Sequence, residues 1–409
     1  MSLWQQRKQL LGDRNFFLFL VASIITVMGG AMGYIALTWY VVSVSSQPFY
    51  AGVLVSLSFW LPSVLLGPLC GVWVDRYRRR NMLILASGVR MLAFALFALL
   101  LSFLQSEYLC CLLSFFNGLT FAIVSPAVMA LVRELVATDQ LLAANSTIDA
   151  GFELANVVGM AVAAVLVVWL PISAVLVITA LCMGLGILLL ACIRQSEEEQ
   201  CHLRQHTRPW LELQQGWHYL STRPLLLCLY TLSTVLFIQF MIPPILLAPY
   251  IKTVLHGTGQ DFSLVELALS LGLIVGSFVL PHCCQRFGRL QTMCFSSVWL
   301  CVLYVLVGLS HQVVSLIVLY ALLGCALPLW TIIASYSQEY TEKSMQGRVQ
   351  SFSGAVSSAC LLVVYSMFAL GHAHFSIVHG FWLCSLLSVF ALMLMAMLHR
   401  LEQRVPLPQ

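Results

Sequence analysis

Long apolar blocks recur along the whole chain, separated by shorter polar connections. An α-helix rises about 1.5 Å per residue, so a block of about 20 residues crosses the roughly 30 Å hydrocarbon core of a bilayer. The blocks are continuously apolar and lack the alternation of barrel strands, which favours helices. The sequence therefore predicts an all-α integral membrane protein with twelve transmembrane helices, at approximately 16–41, 51–73, 82–104, 108–130, 142–170, 173–193, 225–250, 264–284, 291–309, 312–334, 349–371 and 377–398.

The amino-acid composition excludes a soluble globular protein. Hydrophobic residues make up 60% of the 409 residues and charged residues only 9%, whereas about a quarter of the residues in soluble domains are charged. Lipid is therefore the expected solvent, and the bilayer is the expected partner of most of the surface.

The positive charges indicate which ends of the helices face the cytoplasm. Of the 20 Lys and Arg residues, 18 lie at the termini or in the even-to-odd connections. The other two are Lys252, in an outer connection, and Arg90, inside the third helix. Because basic connections stay in the cytoplasm, we expect both termini there, in a bacterial inner membrane. The net charge of +4 follows from this bias and indicates no nucleic-acid partner.

The longest polar stretch divides the predicted helices six and six. We predict an N-terminal six-helix bundle over 1–193, a cytoplasmic linker over 194–224 and a C-terminal six-helix bundle over 225–409. The linker contains three consecutive glutamates at 197–199, which are typical of a solvated connection. Within it, residues 210–219 either form an amphipathic helix on the inner surface or remain irregular.

The two halves of the chain resemble each other, as in transporters built from repeated bundles. The segment 71–80 after the second helix is echoed by 281–289 after the eighth, at an offset of 210 residues. Ser125-Pro126 is echoed by Leu327-Pro328, at an offset of 202 residues. The two offsets support a duplicated, pseudo-symmetric six-helix unit.

The connection after the second helix contains Gly71, Asp75, Arg76, Arg79 and Arg80. In this spacing they resemble the loop signature G-x-x-x-D-R-x-G-R-R/K of the major facilitator superfamily. Arg78 stands where the family usually has Gly, and the second copy keeps Gly288 but has Gln285 in place of the acidic residue. The resemblance implies two bundles that open a central site to one side of the membrane at a time.

Three further stretches narrow the resemblance: 11–16, the region around Asn145, and 346–349. Together they resemble the exporter branch of that superfamily, which includes macrolide efflux pumps, the enterobactin exporter and the lysophospholipid transporter. The resemblance implies export of a small amphipathic molecule, such as a drug or a siderophore, commonly by proton antiport. The alternatives are an importer of a nutrient or metal chelate in the same fold and a lysophospholipid flippase.

The sequence contains no motif of a membrane enzyme, and we expect a monomeric carrier without a bound cofactor, driven by the proton gradient. His372, His374 and His379 lie in or beside the last outer connection. No carboxylate or cysteine accompanies them at ligand spacing, so we expect solvated histidines and no metal site.

The loop signature predicts a cytoplasmic gate. Asp75, at the inner end of the second helix, can meet the N-terminus of the eleventh helix, which begins around Gly347. A carboxylate there is favoured by the helix dipole and the unpaired amides. Arg76, Arg79 and Arg348 would complete a charge cluster that latches the gate when the carrier faces outward. The alternative is that the arginines of this connection only set the topology.

The fifth helix carries a polar stripe inside the membrane. Asn145, Asp149, Glu153 and Asn156 are spaced by four, four and three residues, so they fall within an arc of about 80°. If the helix enters the core near Asn145, the other three lie about 6, 12 and 16 Å deep. Carboxylates are expensive in hydrocarbon and usually face a cavity or a partner.

We predict that Glu153 binds the transported proton and that Asn156 offers hydrogen bonds to the substrate. The alternative is that Asp149 pairs with a loop arginine at the inner interface and that Glu153 is a structural partner of Arg90. Arg90 itself either extends to the inner surface, pairs with Glu153, or receives an anionic substrate. Glu266, near the outer end of the eighth helix, is either solvated or part of the cavity.

Glycines and prolines mark two other places of interest. Two adjacent prolines at 243–244 should kink the seventh helix near its outer half. The first helix carries small residues that allow close packing, followed by residues that can line a central pathway. These are Gly29, Gly30, Gly33, Tyr34, Thr38 and Trp39.

Overall fold

A computed structural model describes residues 3–101, 103–104, 106–137, 140–193, 209–342, 345–371 and 376–403. The described residues form helices joined by short connections and contain no strand. In chain order the helices are α1 (Leu3–Gly12), α2 (Arg14–Val44), α3 (Pro48–Arg76), α4 (Arg79–Leu100), α5 (Glu107–Leu135), α6 (Leu141–Trp169), α7 (Ile172–Ala191), α8 (Pro209–Ser221), α9 (Pro224–Met241), α10 (Pro243–Thr253), α11 (Gly259–Phe287), α12 (Arg289–Gly308), α13 (Val313–Ala326), α14 (Leu329–Tyr340), α15 (Gln346–Gly371) and α16 (Ile377–Glu402).

Twelve segments of the described residues are long and apolar enough to cross a membrane, which confirms the predicted number. Ten of them are single helices. The seventh crossing joins α9 with α10, and the tenth joins α13 with α14. Helices α1 and α8 are shorter and precede the first and seventh crossings.

The described residues form two compact units. The first contains residues up to 193 together with 258–267, and the second contains 209–257 together with 268–403. Of the predicted linker, residues 194–208 lie outside the described part of the chain. Of the two alternatives left open for residues 210–219, the structure has the helix, α8.

The duplication predicted from sequence has a physical counterpart inside each unit. A Cβ atom placed on Gly118 of α5 would lie 1.8 Å from the carbonyl oxygen of Phe59 on α3. A Cβ placed on Gly324 of α13 would lie 2.2 Å from the carbonyl oxygen of Leu269 on α11. These distances exclude any side chain, so in both units two helices touch backbone to backbone.

Corresponding ends of helices in the two units carry a second repeated contact. Arg79 at the start of α4 pairs with Glu134 near the end of α5, with Nε and Oε1 3.1 Å apart. Arg289 at the start of α12 pairs with Glu339 near the end of α14. The offset between the two arginines is 210 residues, which is that of the sequence repeat.

The seventh crossing is broken as predicted, because α9 ends at Met241 and α10 begins at Pro243. Two successive prolines lack the N–H groups that would bond to carbonyls one turn earlier. Tyrosines from other helices of the same unit bind carbonyls left without a helical partner. The Tyr304 hydroxyl donates to the Gln239 carbonyl at 3.5 Å, and the Tyr365 hydroxyl donates to the Met241 carbonyl at 2.6 Å.

The two short helices occupy comparable places. Helix α1 packs on the start of α6, where the Arg7 guanidinium donates to the Ser146 hydroxyl at 3.1 Å. Helix α8 packs on the start of α15, where the rings of Trp217 and Phe352 lie 5.7 Å apart. Each unit therefore adds a short helix that rests on its fifth crossing.

Candidate functional site

The polar stripe predicted on the fifth crossing lies on α6. Asn145, Asp149 and Glu153 are exposed in the chain, and Asn156 is half-buried. Within the described residues, no hydrogen bond or ion pair involves Asp149 or Glu153. The proposed pairing of Glu153 with Arg90 is therefore absent from this structure.

Helix α6 has a packed face, an apolar exposed face and a polar exposed face. Gly159 marks the packed face, because its added Cβ would lie 2.5 Å from a carbonyl oxygen of α2. At about 100° per residue, Asp149 and Glu153 lie about 80° and 120° to one side of Gly159. The exposed Leu154 and Val158 lie about 140° and 100° to the other side. The apolar exposed face is the one suited to contact lipid, so the carboxylates are directed away from lipid.

Arg90 lies in the middle of its helix, about 16 Å from the start of α4. Its Nε donates to Asn117 Oδ1 at 3.2 Å, and the Asn117 amide donates in turn to the Leu113 carbonyl at 3.0 Å. A Cβ placed on Gly30 of α2 would lie 3.1 Å from Arg90 Nη2. The guanidinium is thus held by a neutral amide at mid-depth and does not extend to the inner surface.

Glu266 is buried, which corrects the expectation that its place near the outer end of the eighth crossing would leave it solvated. Only 4% of the residue is exposed. The Tyr34 hydroxyl of α2 donates to Glu266 Oε1 at 3.3 Å. Among the described residues, no basic side chain forms an ion pair with Glu266.

Aromatic rings cover the same part of α11. Phe262, one turn before Glu266, is fully buried and stacks on Trp39 with ring centroids 6.2 Å apart. Its ring also lies 6.4 Å from that of Tyr34. A Cβ on Gly259 would lie 2.8 Å from the Trp39 indole. These contacts hold the first two turns of α11 against α2 and explain why Glu266 is removed from water.

The arginine and the glutamate are linked through one face of α2. Gly30 and Tyr34 are four residues apart, so they share a face and differ in height by about 6 Å. Arg90 contacts the first position and Glu266 the second. We call Gly30, Tyr34, Arg90, Asn117 and Glu266 the embedded polar cluster.

Three residues of the predicted gate lie at the end of α3. Gly71, Asp75 and Arg76 are within this helix, but the side chains of residues 67–76 lie outside the described part of the structure. The gate role of Asp75 therefore stays a prediction.

The other gate residues make contacts within their own units. Arg79 pairs with Glu134, which sequence reasoning did not single out. Arg80 Nη1 donates to the Ile193 carbonyl at 2.6 Å.

The eleventh crossing begins where it was expected, because α15 starts at Gln346. Arg348 lies in its first turn, and its Nη1 lies 3.7 Å from Met345 Sδ. The participation of Arg348 in a gate also stays a prediction.

His379 is the described member of the predicted histidine group. It accepts a hydrogen bond from the Ser376 amide at 3.2 Å and caps the start of α16. His372 and His374 lie outside the described residues.

Comparison with known families decides what kind of protein carries this site. The model of the Major Facilitator Superfamily matches residues 18–246 and 231–409, which is nearly the whole chain. The chain belongs to the Major Facilitator Superfamily. It is therefore a multi-pass membrane protein whose family and fold are those of transporters.

The relatives and structural neighbours of this chain are named for different transported molecules. Macrolide efflux protein A of Streptococcus pyogenes is 22% identical over 376 residues, covering 90% of this chain and 92% of that protein. The nucleoside transporter NupG has a TM-score of 0.70 at 13% identity, covering 94% of this chain and 98% of its own. A bacterial homologue of the iron transporter ferroportin has a TM-score of 0.68 at 15% identity, covering 97% and 98%. At these identities the structural likeness shows the fold alone.

The superfamily resemblance pointed to the gate and did not reveal the embedded polar cluster. Tyr34 and Glu266 are separated by 232 residues, and no periodicity in the sequence relates them. Asn117 is a lone amide in an apolar helix, so only its mid-helix position could have indicated a partner for Arg90.

Proposed function

We propose that this chain is a secondary transporter that exports a small amphipathic molecule by proton antiport. The observation that carries the proposal is the similarity to macrolide efflux protein A over 90% of the chain. The two halves would open a substrate site to one side of the membrane at a time, as expected for carriers built from repeated bundles.

The burial of Glu266 supports assigning it as the proton-binding group, ahead of Glu153. A carboxyl away from water favours its neutral form unless a cation or several hydrogen bonds stabilise the charge. Glu266 has one phenolic donor, Tyr34, and no ion pair with a described residue. A conformational change that wets this group would release its proton, so protonation and access become linked.

The direction of coupling follows from where protons are abundant. When the site opens outward, Glu266 takes up a proton and the substrate leaves. When the site opens inward, the proton is released to the cytoplasm and substrate binds again. Asp149, Glu153 and Asn156 would line the water-filled route, because their side of α6 is distinct from its apolar exposed face.

Uptake is the second candidate, because the fold by itself leaves the direction of transport open. NupG and a peptide transporter of the POT family, with TM-scores of 0.70 and 0.71, share this fold. Under this alternative the substrate would be a nutrient or a metal chelate that enters with the proton.

The direct test compares spent medium and cell extract by untargeted mass spectrometry. The native host would carry the intact gene, a deletion, Glu266→Gln or Glu153→Gln. We expect a compound that is lost from the medium of the deletion strain and accumulates inside its cells. The Glu153→Gln gene should restore more of this compound to the medium than the Glu266→Gln gene. A compound that accumulates in the medium of deleted cells would instead establish uptake.

The chemical class of that compound separates the finer alternatives. A catecholate or hydroxamate would identify a siderophore exporter. A set of unrelated drugs would identify multidrug efflux, and a lysophospholipid would identify a flippase.

A further inference from the structure

We infer that the transported molecule carries an anionic group and that Arg90 binds it. This inference rests on the proposed function, because it names the substrate class of the same site. It commits to an amphipathic anion, in which a carboxylate, sulfonate or phosphate is attached to an apolar body.

The first argument is the missing counter-ion. A guanidinium remains charged in proteins, and a charge at mid-membrane is costly unless it is paired or hydrated. Among the described residues, Arg90 forms no ion pair, and its hydrogen-bond partner is the neutral amide of Asn117. The charge on this side chain is therefore available to a ligand.

The second argument is the orientation of the guanidinium. Asn117 occupies Nε and so fixes the plane of the fork. Neither terminal nitrogen donates to another described residue, and Nη2 packs against the backbone of Gly30, where a side chain would crowd it. Two terminal nitrogens that keep their hydrogen-bonding capacity in a fixed plane match the two oxygens of a carboxylate or a phosphate.

The third argument is the surrounding apolar surface. Tyr34 lies one turn beyond Gly30, and Trp39 follows on the same helix. Both rings are half-buried, and the fully buried Phe262 packs behind them. An aromatic wall beside a single cation suits a ligand with an anionic head and a flat or flexible apolar body.

The experiment measures binding of matched probes to the purified full-length protein in a neutral detergent. The first pair is 1-naphthaleneacetate and 1-naphthaleneacetamide, which differ in charge and share the ring. The second pair is lysophosphatidylglycerol and the uncharged monoacylglycerol with the same acyl chain, which separates a lipid source of the anion from a soluble one. Thermal unfolding gives an apparent affinity for each probe.

We expect the anionic member of at least one pair to bind about 10 to 100 times more tightly than its partner, as for a charge-assisted hydrogen-bonded pair. The preference should vanish in Arg90→Gln and weaken in Arg90→Lys, which keeps the charge but loses the planar fork. It should also vanish in Asn117→Asp, because a carboxylate at this position would neutralise the guanidinium. Arg289→Gln, which removes an arginine paired with Glu339, should leave the preference unchanged.

A measurement without ligand adds an independent criterion. If Arg90 is an unpaired charge kept for a ligand, Arg90→Gln and Asn117→Asp should raise the unfolding temperature of the empty protein. If Arg90 is only a structural partner of Asn117, Arg90→Gln should lower it, because the Asn117 amide oxygen would lose its guanidinium donor.

Equal responses to both members of each pair, including no response, would overturn the inference, as would a preference that persists in Arg90→Gln. These outcomes are distinguishable from failure of the proposed function. Export of a neutral compound would refute the anion and leave efflux intact. Anion binding combined with uptake would refute export and leave the role of Arg90 intact.

Discussion

Burial under a neighbouring helix favours the neutral form of a carboxyl group, and Glu266 is the example at the scale of a residue. Its position eight residues into α11 suggested access to water. The contact with Tyr34 and the rings around it removed that access. The decisive partner is far away in the chain, so burial here is a property of the folded unit.

We predict that Glu266→Gln uncouples transport from the proton gradient, because the amide cannot exchange a proton. In proteoliposomes loaded with the identified substrate, an imposed pH gradient should accelerate wild-type transport. The variant should transport at the same rate with and without the gradient. Glu153→Gln tests the competing candidate, since Glu153 was expected from sequence to bind the transported proton but is exposed and makes no hydrogen bond within the described residues. The assignment fails if Glu153→Gln loses the acceleration and Glu266→Gln keeps it.

Sequence reasoning selected Arg90, Asp149, Glu153 and Glu266 because charge inside a membrane segment is rare and costly. The sequence does not indicate which of these four side chains other helices bury. Whether a side chain at mid-depth meets lipid, water or a phenol depends on how helices distant in the chain pack. Asn117, which determines the orientation of Arg90, carries no charge and so gave no signal of its own.

At the scale of an element, the break between α9 and α10 could be located from sequence because proline lacks an N–H group wherever it occurs. The residues that donate hydrogen bonds to the carbonyls near the break could not be predicted from sequence. Tyr304 and Tyr365 come from α12 and α15, and each supplies a hydroxyl to a carbonyl near the break.

We predict that Tyr365→Phe lowers the free energy of unfolding by about 1–3 kcal/mol, because it leaves the Met241 carbonyl without its donor. The ring itself is retained, so packing should change little. Thermal unfolding of the purified protein measures the effect. Tyr108→Phe removes a hydroxyl from an exposed ring and serves as the control; an equal effect of both substitutions would contradict the assigned role.

Helix pairs that touch through glycine should tolerate no side chain. Gly118→Ala would place a methyl group 1.8 Å from the Phe59 carbonyl oxygen, so α3 and α5 must separate. We expect this variant to lose monodisperse protein on size-exclusion chromatography. Gly88→Ala introduces the same group where nothing lies within 4 Å, and should be neutral or stabilising because alanine favours a helix over glycine. Normal recovery of Gly118→Ala would show that the contact is not required.

For the whole molecule, the number of crossings could be predicted because the thickness of a bilayer imposes one length on every spanning helix. Duplication was visible in sequence only where the two copies keep the same short segment. The matching pairs Arg79 with Glu134 and Arg289 with Glu339 emerged only when the ends of the helices could be compared.

The distribution of basic residues predicts that both termini face the cytoplasm. Alkaline phosphatase folds only outside the cytoplasm, so a fusion after residue 403 should be inactive and a fusion after Gly257 should be active. Green fluorescent protein fused at the same two points should show the opposite pattern. Activity of the phosphatase at the C-terminal fusion would reverse the assigned orientation.

The backbone contacts at Gly118 and Gly324 also bear on how the two copies could diverge. A position that admits no side chain in either copy preserves the scaffold while other positions drift. Drift has been uneven, because Arg90, Asp149 and Glu153 all belong to the first unit, which also includes Glu266 within 258–267. Recombination between relatives at the midpoint of the chain would therefore separate Glu266 from Arg90. A working chimera should carry residues 258–267 along with the donor's first half.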